Sequence, residues 1–278
     1  MGRSVLVVIG VGGMGVAIAR RQGSGRIVVL ADADEDGLGA RADSLTRDGH
    51  EVVAHPVDVS SHEAVARLAD AAAALGPVTQ VVHTAGLSPA QASAGDILEV
   101  DLFGVAFSLE EFGRVIGAGG AGVVIASMAG HLVAGALSPE EEAALARTPA
   151  DELFRLPVLH SDLVTDAGMA YGVAKRANLL RVQASSASWG ARGARINAIS
   201  PGIVSTRMGQ QELASASGEL MRAMTEASGA GRVGTPEDIA SAAAFLLGDE
   251  APFITGTDLL VDGGVVAAQL AGGPRSPS

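Results

Sequence analysis

No cysteine occurs among the 278 residues. Disulfides and thiolate metal sites are therefore excluded, although the compartment is not fixed by this absence. Aromatic residues make up only 3% of the chain, with one Trp and one Tyr, so any core must be aliphatic. Basic runs are missing, and the formal net charge is −12. A surface this acidic repels phosphate backbones and anionic lipid, which sets aside nucleic acid and membranes as partners. No stretch of about 18 apolar residues is free of helix breakers, so no membrane span is expected. Arg3 and the run from Ser4 to Ile9 mimic the start of a signal peptide, but Gly10, Gly12, Gly13 and Gly15 cut the run short. Met1-Gly2 has no Ser or Thr at position 6, so myristoylation is not indicated. A cytoplasmic protein is expected.

Apolar residues are plentiful, at 48%. Short aliphatic runs end at Ile9, Ala31, Ala54, Val82, Ala126, Ile199 and Val261, and segments of helical period separate them, among them 64–75, 97–116 and 239–247. Strand and helix in alternation imply right-handed crossovers and a parallel sheet. The fold class expected is α/β: a single doubly wound Rossmann-type domain over 1–270, with a seven-stranded parallel sheet and helices on both faces. The Gly/Pro/Ser-rich tail, 271–278, reads as loose. Between Ser127 and Tyr171 the rhythm breaks, with no strand-like run. Pro139 to Arg147 reads there as a short helix, with Pro at its start and Glu140, Glu141 and Glu142 in its first turn.

Gly10-Val11-Gly12-Gly13-Met14-Gly15 matches GxGxxG between a strand and a helix. Glycines there permit a tight turn and close approach of backbone to a pyrophosphate at the helix N-terminus. Asp32 ends the next strand, 17 positions past Gly15. A carboxylate in that place accepts ribose hydroxyls and repels a 2′-phosphate, favouring NAD over NADP; the plainer reading is a solvated turn aspartate. Asp58, with Val59 beside it, suits an adenine site or a helix N-cap, for which Ser60 or Ser61 is the better candidate.

Tyr171 and Lys175 lie four apart on an expected helix and so share a face. A free Tyr is a poor base at neutral pH, and a nearby ammonium favours its phenolate. The pair can thus exchange a proton with an alcohol or carbonyl, or it can be merely an exposed Lys beside a half-buried Tyr. Ser127 ends a strand where ligands bind in such sheets; its hydroxyl could polarise a carbonyl or simply close a turn.

Taken together these pieces resemble the short-chain dehydrogenase/reductase family over nearly the whole chain. The matching residues are the turn at 10–15, Asp32, Asp58-Val59, Thr84-Ala85-Gly86, Ser127, Tyr171-x-x-x-Lys175, Asn197 to Gly202, and Thr255 to Gly264. The resemblance implies Tyr171 as acid/base, Lys175 as its pKa modulator and ribose ligand, and Ser127 as carbonyl orienter. It implies that Thr84, Ala85 and Gly86 line the cofactor. Pro201, Gly202, Val204 and Thr206 would hold the nicotinamide carboxamide. It also implies a homo-oligomer, tetramer or dimer, built on the helices around 97–118 and 169–189. The expected activity is hydride transfer between NAD(H) and a small-molecule secondary alcohol or ketone, with a non-redox lyase or isomerase and a non-catalytic dinucleotide sensor as alternatives.

The chain departs from the family pattern in several places. The glycine turn is a residue shorter than TGxxxGxG. His83-Thr84-Ala85-Gly86 replaces Asn-Asn-Ala-Gly. Asp101 stands where a proton-relay Asn is usual, which adds a charge near Lys175. The Ser-to-Tyr spacing is long, and the extra residues, about 131–168, are expected to form a lid or wall of the substrate pocket, or an oligomer contact. His131, His160 and Asp162 within them match no metal-ligand spacing, so no metal is expected.

Overall fold

The computed structural model describes residues 3–272; all but the first two residues of the expected tail lie outside that range. Seven strands are present: β1 (Val5–Ile9), β2 (Ile27–Asp32), β3 (Glu51–Pro56), β4 (Val78–His83), β5 (Ile116–Ile125), β6 (Arg195–Pro201) and β7 (Asp258–Val261). Every pairing is parallel, in the order β3-β2-β1-β4-β5-β6-β7. The order reverses between β1 and β4. Open sheets of this kind bind ligands at such a reversal, beyond the carboxyl ends of the strands.

The helices are α1 (Gly13–Gln22), α2 (Glu35–Arg47), α3 (His62–Leu75), α4 (Ala94–Ile97), α5 (Gly104–Val115), α6 (Ala129–Leu132), α7 (Pro139–Arg147), α8 (Ala167–Gly190), α9 (Arg207–Ala214), α10 (Gly218–Ala227), α11 (Pro236–Leu247) and α12 (Val265–Leu270). Strand residues alternate between two layers. Val5, Val7 and Ile9 of β1 face the layer of α3, α5 and α8, whereas Leu6 and Val8 face that of α1, α2 and α11. With both faces covered, the strand reads as an unbroken apolar run. Side-chain caps begin several helices: Asp34 for α2, Ser61 for α3, Ser138 for α7, Asp166 for α8 and Thr235 for α11. The sole tryptophan, Trp189 of α8, is buried against α5 and β5, and its indole N–H donates to the Leu109 carbonyl at 3.1 Å.

Two local expectations change. The helix read over 97–116 is interrupted by a π-helical turn at Leu98–Phe103, and β5 begins at Ile116 rather than near Val123. The segment 131–168 contains α7 and four short 3₁₀ turns but lines neither of the two cavities described below. It packs instead on the outer side of α5 and α8. Leu145, Leu153, Val158, Leu159 and Val164 join their core. The Arg176 guanidinium meets Glu142 at 2.7 Å, and Arg181 donates to the carbonyls of Leu145 and Thr148. No residue of 131–168 forms part of either cavity wall. Its apolar side chains at 145, 153, 158, 159 and 164 match bare helix faces, and they bury there.

Candidate active site

Gly10 leaves β1 with a φ of +91°, and a Cβ there would lie 2.4 Å from the Ala85 nitrogen. A Cβ on Gly15 would lie 2.0 Å from the Gly10 oxygen. Glycine is required at both positions, because the turn folds back on itself and against the loop after β4. The Thr84 hydroxyl ties the two together by donating to the Gly10 carbonyl at 2.7 Å. Gly12 differs: a Cβ there would meet nothing within 4 Å. Gly12 is also the N-cap of α1, whose first turn has neither a side-chain cap nor an acidic residue. Its backbone N–H groups are thus free for an anion, and the space over Gly12 admits one.

This turn floors a cavity of about 470 Å³, whose walls include Gly10, Gly12, Gly13, Met14, Gly15, Asp32, Asp58, Val59, Thr84, Ala85, Gly86 and Thr206. Asp32 is held in place, since its carboxylate accepts the backbone N–H groups of Val11 at 2.8 Å and Asp34 at 3.0 Å. Asp58 accepts both the N–H and the hydroxyl of Ser60, while Ser61 caps α3. Asp58 is thus not the cap. An open glycine floor, the N–H donors of an uncapped helix N-terminus and a fixed carboxylate acceptor together suit a dinucleotide.

A second cavity, of about 200 Å³, adjoins the first and shares Met14, Thr206 and Met208 with it. Ser127, Tyr171, Pro201, Gly202 and Val204 line it. The sheet explains the convergence, because Ser127 follows β5, Pro201 ends β6, and α8 carries Tyr171 across their carboxyl ends. Thr206 caps α9 by accepting the Gly209 N–H at 3.0 Å.

Lys175 and Asp101 line neither cavity. Both are buried behind Tyr171, with Lys175 Nζ 2.9 Å from Asp101 Oδ2 and 5.3 Å from the centre of the Tyr171 ring. The π turn brings Asp101 there. It rotates the residue inward, where Oδ1 accepts the Leu87 N–H at 2.7 Å and the Asp101 carbonyl accepts from Asn178 at 2.9 Å. Burial pushes the Lys175 ammonium down, but Asp101 and Tyr171 overcome this and hold it above its usual range. Burial raises the Asp101 carboxyl, against the pull of Lys175. Tyr171 is raised by burial first; Lys175 and a hydrogen bond with Ser127 pull it down, while Asp101 and Glu212 push it up. The net shift is upward, which favours the neutral phenol.

Other readings resolve more plainly. His131 pairs with Asp258 at 2.7 Å, and His160 bonds the Phe154 carbonyl. No group of three potential metal-ligating side chains occurs among the described residues, and no helix there is long and apolar enough to cross a membrane. Sequence reasoning missed Ser88, Met128, Met208, Glu212 and Met221, all on the second cavity. The one available signal was the density of methionine in 208–224, just after a strand ending in Pro-Gly.

The family model described as enoyl-(acyl carrier protein) reductase matches residues 10–140 and 150–266. The short-chain dehydrogenase/reductase bsc3 of Alternaria brassicicola is 44% identical over 267 residues, covering 96% of this chain and 97% of its own length. The meso-2,3-butanediol dehydrogenase of Serratia marcescens is 32% identical, covering 95% of each chain. The 3beta-hydroxysteroid dehydrogenase 1 of Eggerthella lenta is 31% identical, covering 95% and 94%. A solved short-chain type dehydrogenase/reductase from Mycobacterium ulcerans superposes with a TM-score of 0.75 at 25% identity, covering 99% of this chain and 92% of that one. Relatedness along almost the whole length shows that this enzyme belongs to the short-chain dehydrogenase/reductase family of oxidoreductases.

Proposed function

We propose that the enzyme interconverts a secondary alcohol and its ketone, with NAD(H) as the hydride carrier and Tyr171 as the acid/base. The observation that carries this reading is the junction of the two cavities: the glycine-floored cavity opens, past Met14 and Thr206, onto the wall that holds Ser127 and Tyr171. The dinucleotide, when bound, supplies or accepts the hydride. Gly12, Gly13 and the N-terminus of α1 would hold its pyrophosphate, Asp32 a ribose, Asp58 and Val59 the adenine, and residues 201–206 the carboxamide.

In the reducing direction Ser127 orients the carbonyl oxygen and the Tyr171 hydroxyl gives it a proton. In the oxidising direction the Tyr171 phenolate takes the proton of the alcohol. Lys175 stabilises that phenolate, and Asp101 limits how far it does so. Preference for NAD rests on the anchored Asp32 carboxylate, which would repel a 2′-phosphate. Pairing of protomers through α5 and α8 would require the segment 139–164 to move away. A homo-oligomer would therefore use another face, and Phe253, fully exposed before edge strand β7, offers an apolar contact there.

Titration with NADH and NADPH, followed by a panel of alcohols and ketones, tests the reading. Tighter binding of NADH is expected, and tighter binding of NADPH would overturn the role of Asp32. Tyr171→Phe is expected to lower kcat by about 10²–10⁴-fold; undiminished turnover would remove Tyr171 from the mechanism.

A further inference from the structure

The second cavity has an unusual wall. Met14, Met128, Met208 and Met221 supply flexible thioethers, and Ile203 and Val204 add branched aliphatic surface. Its other polar groups, Ser88, Ser127, Thr206 and Tyr171, are uncharged hydroxyls. Glu212 is the only residue on the wall with a charged side chain.

Glu212 is also fixed. It sits on α9, which has no buried residues and is held to the loop after β4 by polar contacts. Glu212 Oε1 accepts the Ala90 N–H at 3.0 Å, and one position earlier Gln211 accepts from the Gln91 amide at 2.7 Å. Glu212 forms no ion pair among the described residues. The cavity thus carries an anchored negative charge with no cation on the same wall to receive a substrate anion. A carboxylate, sulfonate or phosphate brought into this apolar space would lose its water and meet a like charge. The overall charge of −12 opposes its approach as well.

We infer that Glu212 makes the pocket selective against anionic substrates, and that the substrate is an uncharged, largely aliphatic secondary alcohol or its ketone. The inference rests on the oxidoreductase reading above.

The test compares methyl 4-oxocyclohexanecarboxylate with the free acid, for the wild type and for Glu212→Gln, with NADH and NADPH. The glutamine can still accept the Ala90 N–H, and retained dinucleotide binding confirms that the variant is folded. The wild type is expected to favour the ester on the order of tenfold in kcat/KM, mostly through KM. Glu212→Gln is expected to collapse most of that ratio. Equal use of both ketones by the wild type, or an unchanged ratio in the variant, overturns the inference and leaves the oxidoreductase reading standing. Thermal shifts in the presence of dinucleotide separate the two ideas. An ester-selective shift that Glu212→Gln abolishes, without turnover, upholds charge exclusion and removes the oxidoreductase reading; equal shifts, or none, overturn the inference.

Discussion

Asp101 sets the electrostatics behind Tyr171. Its carboxylate lies against Lys175, so part of the ammonium charge that would favour a Tyr171 phenolate is spent on the pair. Removing that carboxylate leaves Lys175 to act on Tyr171 alone, and the phenol becomes more acidic. In Asp101→Asn the rising limb of alcohol oxidation is expected at lower pH, and the falling limb of ketone reduction moves the same way. Profiles of kcat/KM in both directions check this, and unmoved limbs would show that Asp101 only supports the loop at Leu87. His83 provides a second titration. It is buried at the end of β4 with neither ring nitrogen hydrogen-bonded. Burial, assisted by Lys175, takes it from 6.5 down to about 3. The unfolded chain therefore binds the proton first as pH falls. Stability from this group is complete above pH 6.5 and declines toward pH 3, by at most about 1.4 kcal/mol per pH unit. His83→Asn is expected to flatten the loss of stability between pH 6 and 4 in urea denaturation; an unchanged slope would count against a buried neutral imidazole.

At the scale of elements, the N-terminus of α1 is bare beside the cavity wall. The caps on α2, α3, α7, α8 and α11 satisfy N–H groups of their own helices, whereas α1 has no side-chain cap. A carboxylate at Gly12 would cap the helix and fill the open space. Gly12→Asp is expected to keep or raise Tm while weakening dinucleotide binding by about tenfold or more, since the new charge faces the pyrophosphate. Calorimetry and fluorescence titration read the two effects separately, and unchanged affinity would put the pyrophosphate elsewhere. The π turn at Leu98–Phe103 is the other such element. Nothing in Leu-Glu-Val-Asp-Leu-Phe announces it, because its one extra residue leaves the helical pattern nearly intact while turning Asp101 inward.

For the whole molecule, the segment 139–164 supplies a third layer outside α5 and α8. Leu153 is fully buried in it, and Leu153→Ala is expected to cost about 3 kcal/mol of stability through lost burial and a cavity. KM for ketone should not follow, since this residue lines neither cavity. Denaturant unfolding with parallel kinetics checks the prediction, and a changed KM with intact stability would return the segment to the substrate site.

Much was legible in the sequence because it is local. Unbroken apolar runs mark strands buried on both faces, GxGxxG marks a turn that no side chain fits, and Pro139 with three glutamates marks the start of α7 within a residue. Tyr171 and Lys175 follow from one helical turn, and Ser127 from its place at the end of a strand. Other features depended on which surfaces meet. Glu212 reaches the second cavity only because α9 folds back over the loop after β4, more than 120 residues away in sequence. Asp101 becomes an ion-pair partner only when the π turn and α8 are packed together. The segment 139–164 covers α5 and α8 because its buried leucines and valines join the core those helices share. Period and propensity act over a few residues, whereas burial and charge pairing are decided between segments that only the folded chain brings together.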